Sequence, residues 1–94
     1  MIRVLIERKV GQSTELAYQQ LTRDVRHAAM HMPGYISGET WRDSANPHHY
    51  VLISTWRTHG EWDAWARSPQ RMAATDQISP MLLEPETVTI LESL

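Results

Sequence analysis

The sequence has no cysteine among its 94 residues, which excludes disulfides, thiolate catalysis and cysteine-ligated zinc or iron–sulfur sites. It also lacks any apolar run close to the ~20 residues needed to span a bilayer. The N-terminus, Met1 to Glu7, reaches charge too early for a signal peptide. Lysines and arginines are scattered and the formal net charge is −2, which argues against nucleic-acid binding. These absences predict a cytoplasmic protein with neither membrane nor nucleic-acid partners.

The composition that is present is typical of a folded domain. Hydrophobic residues make up 41% of the chain and charged residues 21%. This length forms one domain, so residues 1–94 are taken as a single unit. A chain of this size hides only roughly 60–65% of its unfolded surface, so burial against a second copy would strengthen a thin stability margin.

Hydrophobic periodicity divides the first part of the chain into a strand and a helix. Residues 2–10 alternate between apolar and charged types, which predicts a strand with one buried face. Ser13 then offers an N-cap, and apolar residues recur in steps of three and four as far as Met32. Pro33 and Gly34 end this helix. Its predicted core face consists of Ala17, Leu21, Val25, Ala28 and Met32.

The middle of the chain predicts a hairpin followed by two short helical segments. Residues 35–42 and 50–57 are rich in β-branched and aromatic types, and a polar loop separates them. Thr58 and Glu61 have the spacing of a capping box. Ser68-Pro69 has the cap-then-proline pattern that begins another helix.

A last strand over residues 84–92 completes the order β-α-β-β-α-β. This order predicts an α+β fold of ferredoxin-like topology, an antiparallel sheet with its helices on one face. Helices cover only one face, yet Val51, Leu52 and Ile53 are apolar on both sides of their strand. An uncovered apolar face is typical of an interface, so we expect a homodimer whose sheets face each other.

Four segments carry a pattern that is more specific than this topology. They are residues 33–39 (PGYISGE), 50–57 (YVLISTWR), 61–65 (EWDAW) and 68–69 (SP). In this order and spacing they resemble the antibiotic biosynthesis monooxygenase (ABM) family, and the similarity covers nearly the whole chain. The resemblance implies a dimeric α+β barrel with a pocket between sheet and helices in each subunit. Some members oxidise phenols, quinols or polyketide aromatics with molecular oxygen and without metal or flavin, whereas others degrade heme.

The resemblance also implies where a ligand would bind. Trp65 matches a tryptophan that lines the pocket in some members, although Trp62 and Trp65 also fit a core-facing helix face. These two alternatives for Trp65 are compatible. The expected pocket residues are Ile6, Trp62, Trp65, Met72 and Thr75.

Heme binding ranks last among the functions that the family implies. The heme-degrading branch has an asparagine late in the first strand, where this chain has Ile6 or Glu7. It also has a histidine on the second helical segment, where this chain has Thr75 or Asp76. Without that histidine, the iron has no protein donor at this place. We therefore expect no cofactor.

Residues that could move protons or bind metals are few. His27 and His31 lie four apart on the first helix, a spacing that can bind a metal, but no third ligand is near in sequence. No metal site is therefore expected. His49, in the hairpin loop, and Glu7 remain as weak candidates for the base that deprotonates a phenol. The alternative for Glu7 is charge pairing on the polar face of its strand.

The function predicted first is a cofactor-independent monooxygenase acting on a small electron-rich aromatic such as a phenol or quinol. In such a reaction the substrate anion reduces oxygen itself, and the protein supplies a dry, shaped pocket. The alternative is a dimeric protein that binds a small aromatic ligand without turnover.

Overall fold

The computed structural model describes residues 1–94. Four strands form, β1 (Ile2–Lys9), β2 (Tyr35–Arg42), β3 (His49–Trp56) and β4 (Thr87–Glu92). The helices are α1 (Glu15–Ala29), α2 (His59–Ala66) and α3 (Pro69–Ile78). Short 3-10 turns cover Gln12–Thr14 and Ser79–Met81. None of the helices combines the length and the apolar character that crossing a membrane requires.

The strands form one antiparallel sheet in the order β2-β3-β1-β4, which confirms the predicted α+β ferredoxin-like fold. In β1, the even-numbered residues are buried beneath the helices, and the odd-numbered ones lie on the other, open face of the sheet. One core cluster joins Ile2, Val4 and Ile6 to residues of β3, α1 and α2. A second cluster unites Val10, Tyr18, Tyr50 and Ile78. All three helices thus pack against the same face.

The prediction for α1 was wrong in its bounds and missed part of its core face. The helix begins at Glu15 and ends at Ala29, and Ser13 lies in the preceding 3-10 turn, not at the cap. Tyr18 and Thr22 are buried, whereas Ala17 is exposed. Leu21, Val25, Ala28 and Met32 pack against the core clusters as predicted. A pattern of apolar residues alone missed Tyr18 and Thr22, because both carry polar atoms.

The capping signals of the later helices are confirmed. Thr58 Oγ1 accepts a hydrogen bond from the Glu61 backbone N–H at 3.1 Å, and Ser68 Oγ accepts one from Arg71 N–H at 3.2 Å. Gly34, between α1 and β2, has φ +87°, a conformation that favours glycine. The last strand is shorter than predicted and begins only at Thr87.

Candidate functional site

A small cavity lies between the helix-covered face of the sheet and the helices, and we call it the inner cavity. Its volume is about 70 Å³, enough for about two water molecules. Its aromatic lining residues are Tyr35, Trp56, Trp62 and Trp65. Three of the four tryptophans of the chain therefore meet at one place.

Edge-to-face packing fixes the aromatic wall of the inner cavity. The ring centroids of Tyr35 and Trp56 are 5.5 Å apart with an interplanar angle of 90°. Trp56 and Trp62 are 5.8 Å apart at 67°. Such pairs contribute about 0.5–1.5 kcal/mol beyond the burial of their area. Contacts among the rings therefore stabilise the arrangement of Tyr35, Trp56 and Trp62.

A larger space, which we call the outer groove, adjoins the inner cavity along α1 and β2. Its volume is about 420 Å³, within the range of about 300–1,000 Å³ that is usual for ligand pockets. The two spaces share the lining residues Thr22, Arg26 and Thr40. The remaining lining residues of the outer groove are Tyr18, Gln19, Arg23, Trp41, Arg42 and Tyr50.

A hydrogen-bonded tyrosine lies in the outer groove. The Tyr50 hydroxyl donates to Glu15 Oε1 at 2.6 Å and accepts from Gln19 Nε2 at 3.2 Å. Burial of the hydroxyl and its bond to the Glu15 carboxylate raise the pKa of Tyr50 above its ordinary value of 10.0. Tyr50 is therefore protonated at neutral pH and cannot act as a base there.

Two of the three arginines that line the inner cavity lie beside a single glutamate. Arg8 Nε donates to Glu86 Oε2 at 2.9 Å, and Arg71 Nη2 lies 3.8 Å from Glu86 Oε1. The Arg71 guanidinium also stands over the Trp62 ring, 5.2 Å from its centroid. Desolvation lowers the pKa of Arg71 from its ordinary value; Glu86 opposes this shift and Arg8 adds to it. We call Arg8, Arg71 and Glu86 the arginine cluster.

The structure brings together three of the five predicted pocket residues. Ile6, Trp62 and Trp65 line the inner cavity. Trp65 is only 3% exposed and also belongs to the core, so the two alternatives for this residue hold together. Met72, by contrast, is 57% exposed, and neither Met72 nor Thr75 lines the cavity or the groove. Binding of a ligand by any of the five stays a prediction.

The two candidate bases lie together, but on the open face of the sheet. His49 Nε2 is 3.4 Å from Glu7 Oε1, and His49 Nδ1 is 3.1 Å from Asp43 Oδ2. Hydrogen bonds from the Ala45 N–H and from His49 lower the pKa of Asp43. Neither Glu7 nor His49 lines the inner cavity or the outer groove. Neither residue can therefore abstract a proton from a ligand in the inner cavity, because the sheet separates the two side chains from that cavity.

The remaining histidines do not form a binding site either. His27 and His31 are exposed and pack edge to face, with ring centroids 5.1 Å apart. No three or more His, Cys, Asp or Glu side chains are arranged so that they could hold a metal ion. No histidine lines the inner cavity or the outer groove, so these residues do not fit an axial ligand for heme.

Sequence reasoning missed the polar residues of the inner cavity, among them Arg8, Thr22 and Arg71. One signal was available for Arg8. Arg8 occupies an even-numbered position of β1 and therefore lies on the same face of the strand as the buried Ile2, Val4 and Ile6. A charge on an otherwise apolar strand face is a stronger indication of a site than a charge on the polar face. Arg71 and Thr22 gave no such signal, because their helices carry polar residues on most sides.

The fold and the cavity define the class of protein as an α+β ferredoxin-like domain with an aromatic-lined site between sheet and helices. The family model of antibiotic biosynthesis monooxygenase matches residues 1–77. The chain belongs to this family. A search of the curated proteins found no significant match.

Solved structures share the fold at low sequence identity. A conserved protein from Methanosarcina mazei Go1 is similar with a TM-score of 0.94 and 18% identity, over 99% of this chain and 92% of that one. Rv0793 from Mycobacterium tuberculosis has a TM-score of 0.91 and 19% identity, over 99% and 94%. A mutant of SnoaB, a cofactor-independent oxygenase from Streptomyces nogalater, has a TM-score of 0.88 and 11% identity, over 98% and 91%.

Proposed function

We propose that the protein is a cofactor-independent monooxygenase whose substrate is a small electron-rich aromatic, such as a phenol or quinol. The observation that carries this proposal is the meeting of Tyr35, Trp56, Trp62 and Trp65 around a cavity that continues into a ligand-sized groove. A planar ligand would span both spaces. Membership of the ABM family supports the reaction class, as does the shared fold with SnoaB, a cofactor-independent oxygenase.

The reaction needs no external reductant. The ionised phenol gives an electron to molecular oxygen, and the two radicals combine to form a carbon–oxygen bond on the ring. Loss of the ring hydrogen and cleavage of the oxygen–oxygen bond then give a quinone and water. One oxygen atom enters the product and the other leaves as water, so every electron comes from the substrate. The protein orients the ring and excludes bulk water.

One observation favours the alternative, a protein that binds an aromatic ligand without turnover. No histidine lines the inner cavity, and Glu39 is the only acidic residue in its lining. Glu39 is exposed, and its carboxylate accepts a hydrogen bond from Trp41 Nε1 at 3.0 Å. A site without a proton acceptor binds a substrate that is already ionised but does not ionise it. The binding protein and the monooxygenase would therefore bind the same kind of ligand, and only the monooxygenase would convert it to a product.

Oxygen consumption separates the two functions. Chelator-treated protein is mixed with a panel of quinols and phenols in an oxygen electrode, and quinone formation is followed by absorbance. The proposal predicts uptake above the autoxidation rate, with quinone and oxygen in equal amounts. Trp65→Phe should lower the rate, whereas Met72→Leu, on the exposed side of α3, should leave it unchanged. Saturable binding without oxygen uptake for any member of the panel would favour the non-catalytic alternative.

We further propose that the protein is a homodimer that buries the open face of the sheet. Strand register places Leu5, Val51, Ile53, Trp41 and Leu91 on this face, and Trp41 is 59% exposed. A stable interface needs about 800 Å² per partner, and large apolar side chains at its centre contribute most of the affinity.

Sedimentation velocity at micromolar concentration tests the dimer. The wild type should sediment as a dimer of the 10.9 kDa chain. Ile53→Glu should shift it toward monomer, because the new charge would be buried without a partner. Leu16→Glu, at an 84% exposed position on α1, is the matched control and should remain dimeric. A monomeric wild type would contradict this proposal.

A further inference from the structure

The arginine cluster carries an unbalanced charge in a buried place. Arg8 and Arg71 share a single carboxylate, Glu86, so the cluster has a formal charge of +1. The side chains are 5% exposed for Arg8, 12% for Arg71 and 17% for Glu86. A buried charge without a partner is costly, and proteins usually pair it or use it to bind an ion.

Two polar atoms in the lining of the inner cavity have no hydrogen-bond partner in the protein. They are Thr22 Oγ1 and Arg71 Nη2, and both are buried. Both residues line the inner cavity. A buried polar group without a partner is uncommon in folded proteins and is frequently a sign of a functional site. Here a hydroxyl and a guanidinium N–H are both available as donors, and an anionic oxygen is the acceptor that suits them.

The outer groove has the same sign of charge as the inner cavity. Arg23, Arg26 and Arg42 line it, so five of the eight arginines of the chain surround the two adjoining spaces. The carboxylates in these linings or in contact with them are Glu15, Glu39 and Glu86. Five guanidinium groups against three carboxylates leave a formal +2 around the site, although the whole chain carries −2. A field of this kind attracts anions into a cleft.

We infer that the ligand is an aromatic acid, bound with its carboxylate or equally acidic oxygen in the inner cavity against Arg71, Arg8 and Thr22. This inference rests on the proposed aromatic specificity of the site and names the substrate class. The inner cavity is large enough for an acidic group, and the rings extend into the outer groove. The guanidinium groups donate to the anion and also stabilise negative charge on an adjacent ionised phenol.

The test compares two probes that differ only in charge. 1-Hydroxy-2-naphthoate and 1-hydroxy-2-naphthamide have the same rings and the same hydroxyl, but only the first is an anion at neutral pH. Their dissociation constants for the wild-type protein are measured by calorimetry. We expect the acid to bind at least about tenfold more tightly, since hydrogen bonds to charged groups are stronger than those to neutral groups.

Two variants locate the source of this preference. Arg71→Met removes the less well paired guanidinium and leaves the Arg8–Glu86 pair intact, so the protein should fold. Its preference for the acid should fall about tenfold or more, with little change in affinity for the amide. Arg67→Met, at an exposed position that lines neither space, is the matched control and should keep the wild-type preference. Thr22→Val should lower the preference by a smaller factor.

The outcomes separate this inference from the proposed function. Equal affinity of the wild type for both probes, binding of neither probe, or a preference that survives Arg71→Met would overturn the inference. Oxygen uptake with neutral quinols would still support the monooxygenase in those cases. A preference that depends on Arg71 but comes without oxygen uptake supports the aromatic-acid site and contradicts the turnover.

Discussion

The two faces of the sheet distribute charge and apolar surface in opposite ways. The helix-covered face contains the apolar core, yet it also holds the buried Arg8, and Arg71 reaches the same cavity from α3. The open face has a polar contact between Glu7 and His49 on its two central strands, yet it exposes Trp41 and leaves Val51 and Ile53 only half-buried. The helix-covered face thus contains buried charged residues, and the open face contains exposed apolar residues. This is the reverse of the usual rule that apolar residues are buried and charged residues are exposed.

This contrast suggests a different use for each face. Buried charge is costly and is often found where a protein binds a ligand, so we propose the helix-covered face as the ligand-binding face. An exposed apolar area on a small domain is typical of an interface, so we propose the open face as the surface that binds a second copy. The predictions below test this division, beginning with the largest effect.

Truncation of a tryptophan should depend strongly on the face. Trp65→Ala should lower the free energy of unfolding by about 3–5 kcal/mol, because the side chain is 3% exposed and packs in the core. Trp41→Ala, at a 59% exposed position, should lower the stability of the monomer by less than about 0.5 kcal/mol. Urea unfolding at low protein concentration measures both. Similar losses for the two variants would remove the energetic distinction between the faces.

Removing the carboxylate of the arginine cluster should destabilise the protein by somewhat less. Glu86→Gln leaves two buried guanidinium groups without a counter-charge, and we expect a loss of about 3 kcal/mol in the free energy of unfolding. The matched control is Glu84→Gln, which breaks the exposed 3.4 Å ion pair with Lys9 and should cost about 0–1 kcal/mol. Equal effects in chemical denaturation would mean that the cluster is solvated, and the anion site would lose its basis.

The smallest effect concerns a surface ion pair that belongs to neither site. Arg57 Nε donates to Glu61 Oε1 at 3.0 Å, and this bond holds the pKa of Glu61 below its ordinary value of 4.5. Because the folded-state pKa is depressed, the stabilisation is present above the unfolded-state value and is lost as the pH falls through the folded-state value. The difference in melting temperature between wild type and Arg57→Gln should therefore be small near neutral pH and should vanish in acid. A difference that grows as the pH falls would contradict this sign.

The fold was predictable from the sequence because its signals are local. Alternation in β1 and the caps at Thr58 and Ser68 each depend on residues a few positions apart, and the structure confirms them. Apolar spacing placed most of the core face of α1 but missed Tyr18, because this residue is buried through contacts with Val10, Tyr50 and Ile78, which are distant in sequence.

The candidate site was predictable only in part. Trp62 and Trp65 are close in sequence, and their joint placement follows from helical spacing. The arginine cluster joins residues 8, 71 and 86, and the outer groove adds arginines of α1 and β2. Basic residues that are scattered along the chain form one positive region only after folding. This region could therefore not be predicted from the sequence, which has no basic stripe.

Tryptophan fluorescence tests most directly whether the ligand site lies on the helix-covered face. The Trp41→Phe variant retains three tryptophans, Trp56, Trp62 and Trp65, and all of them line the inner cavity. Titration of this variant with 1-hydroxy-2-naphthoate should quench its emission with the dissociation constant that calorimetry gives for the same variant. Binding by calorimetry without quenching in Trp41→Phe would place the ligand away from the inner cavity and contradict the proposed site.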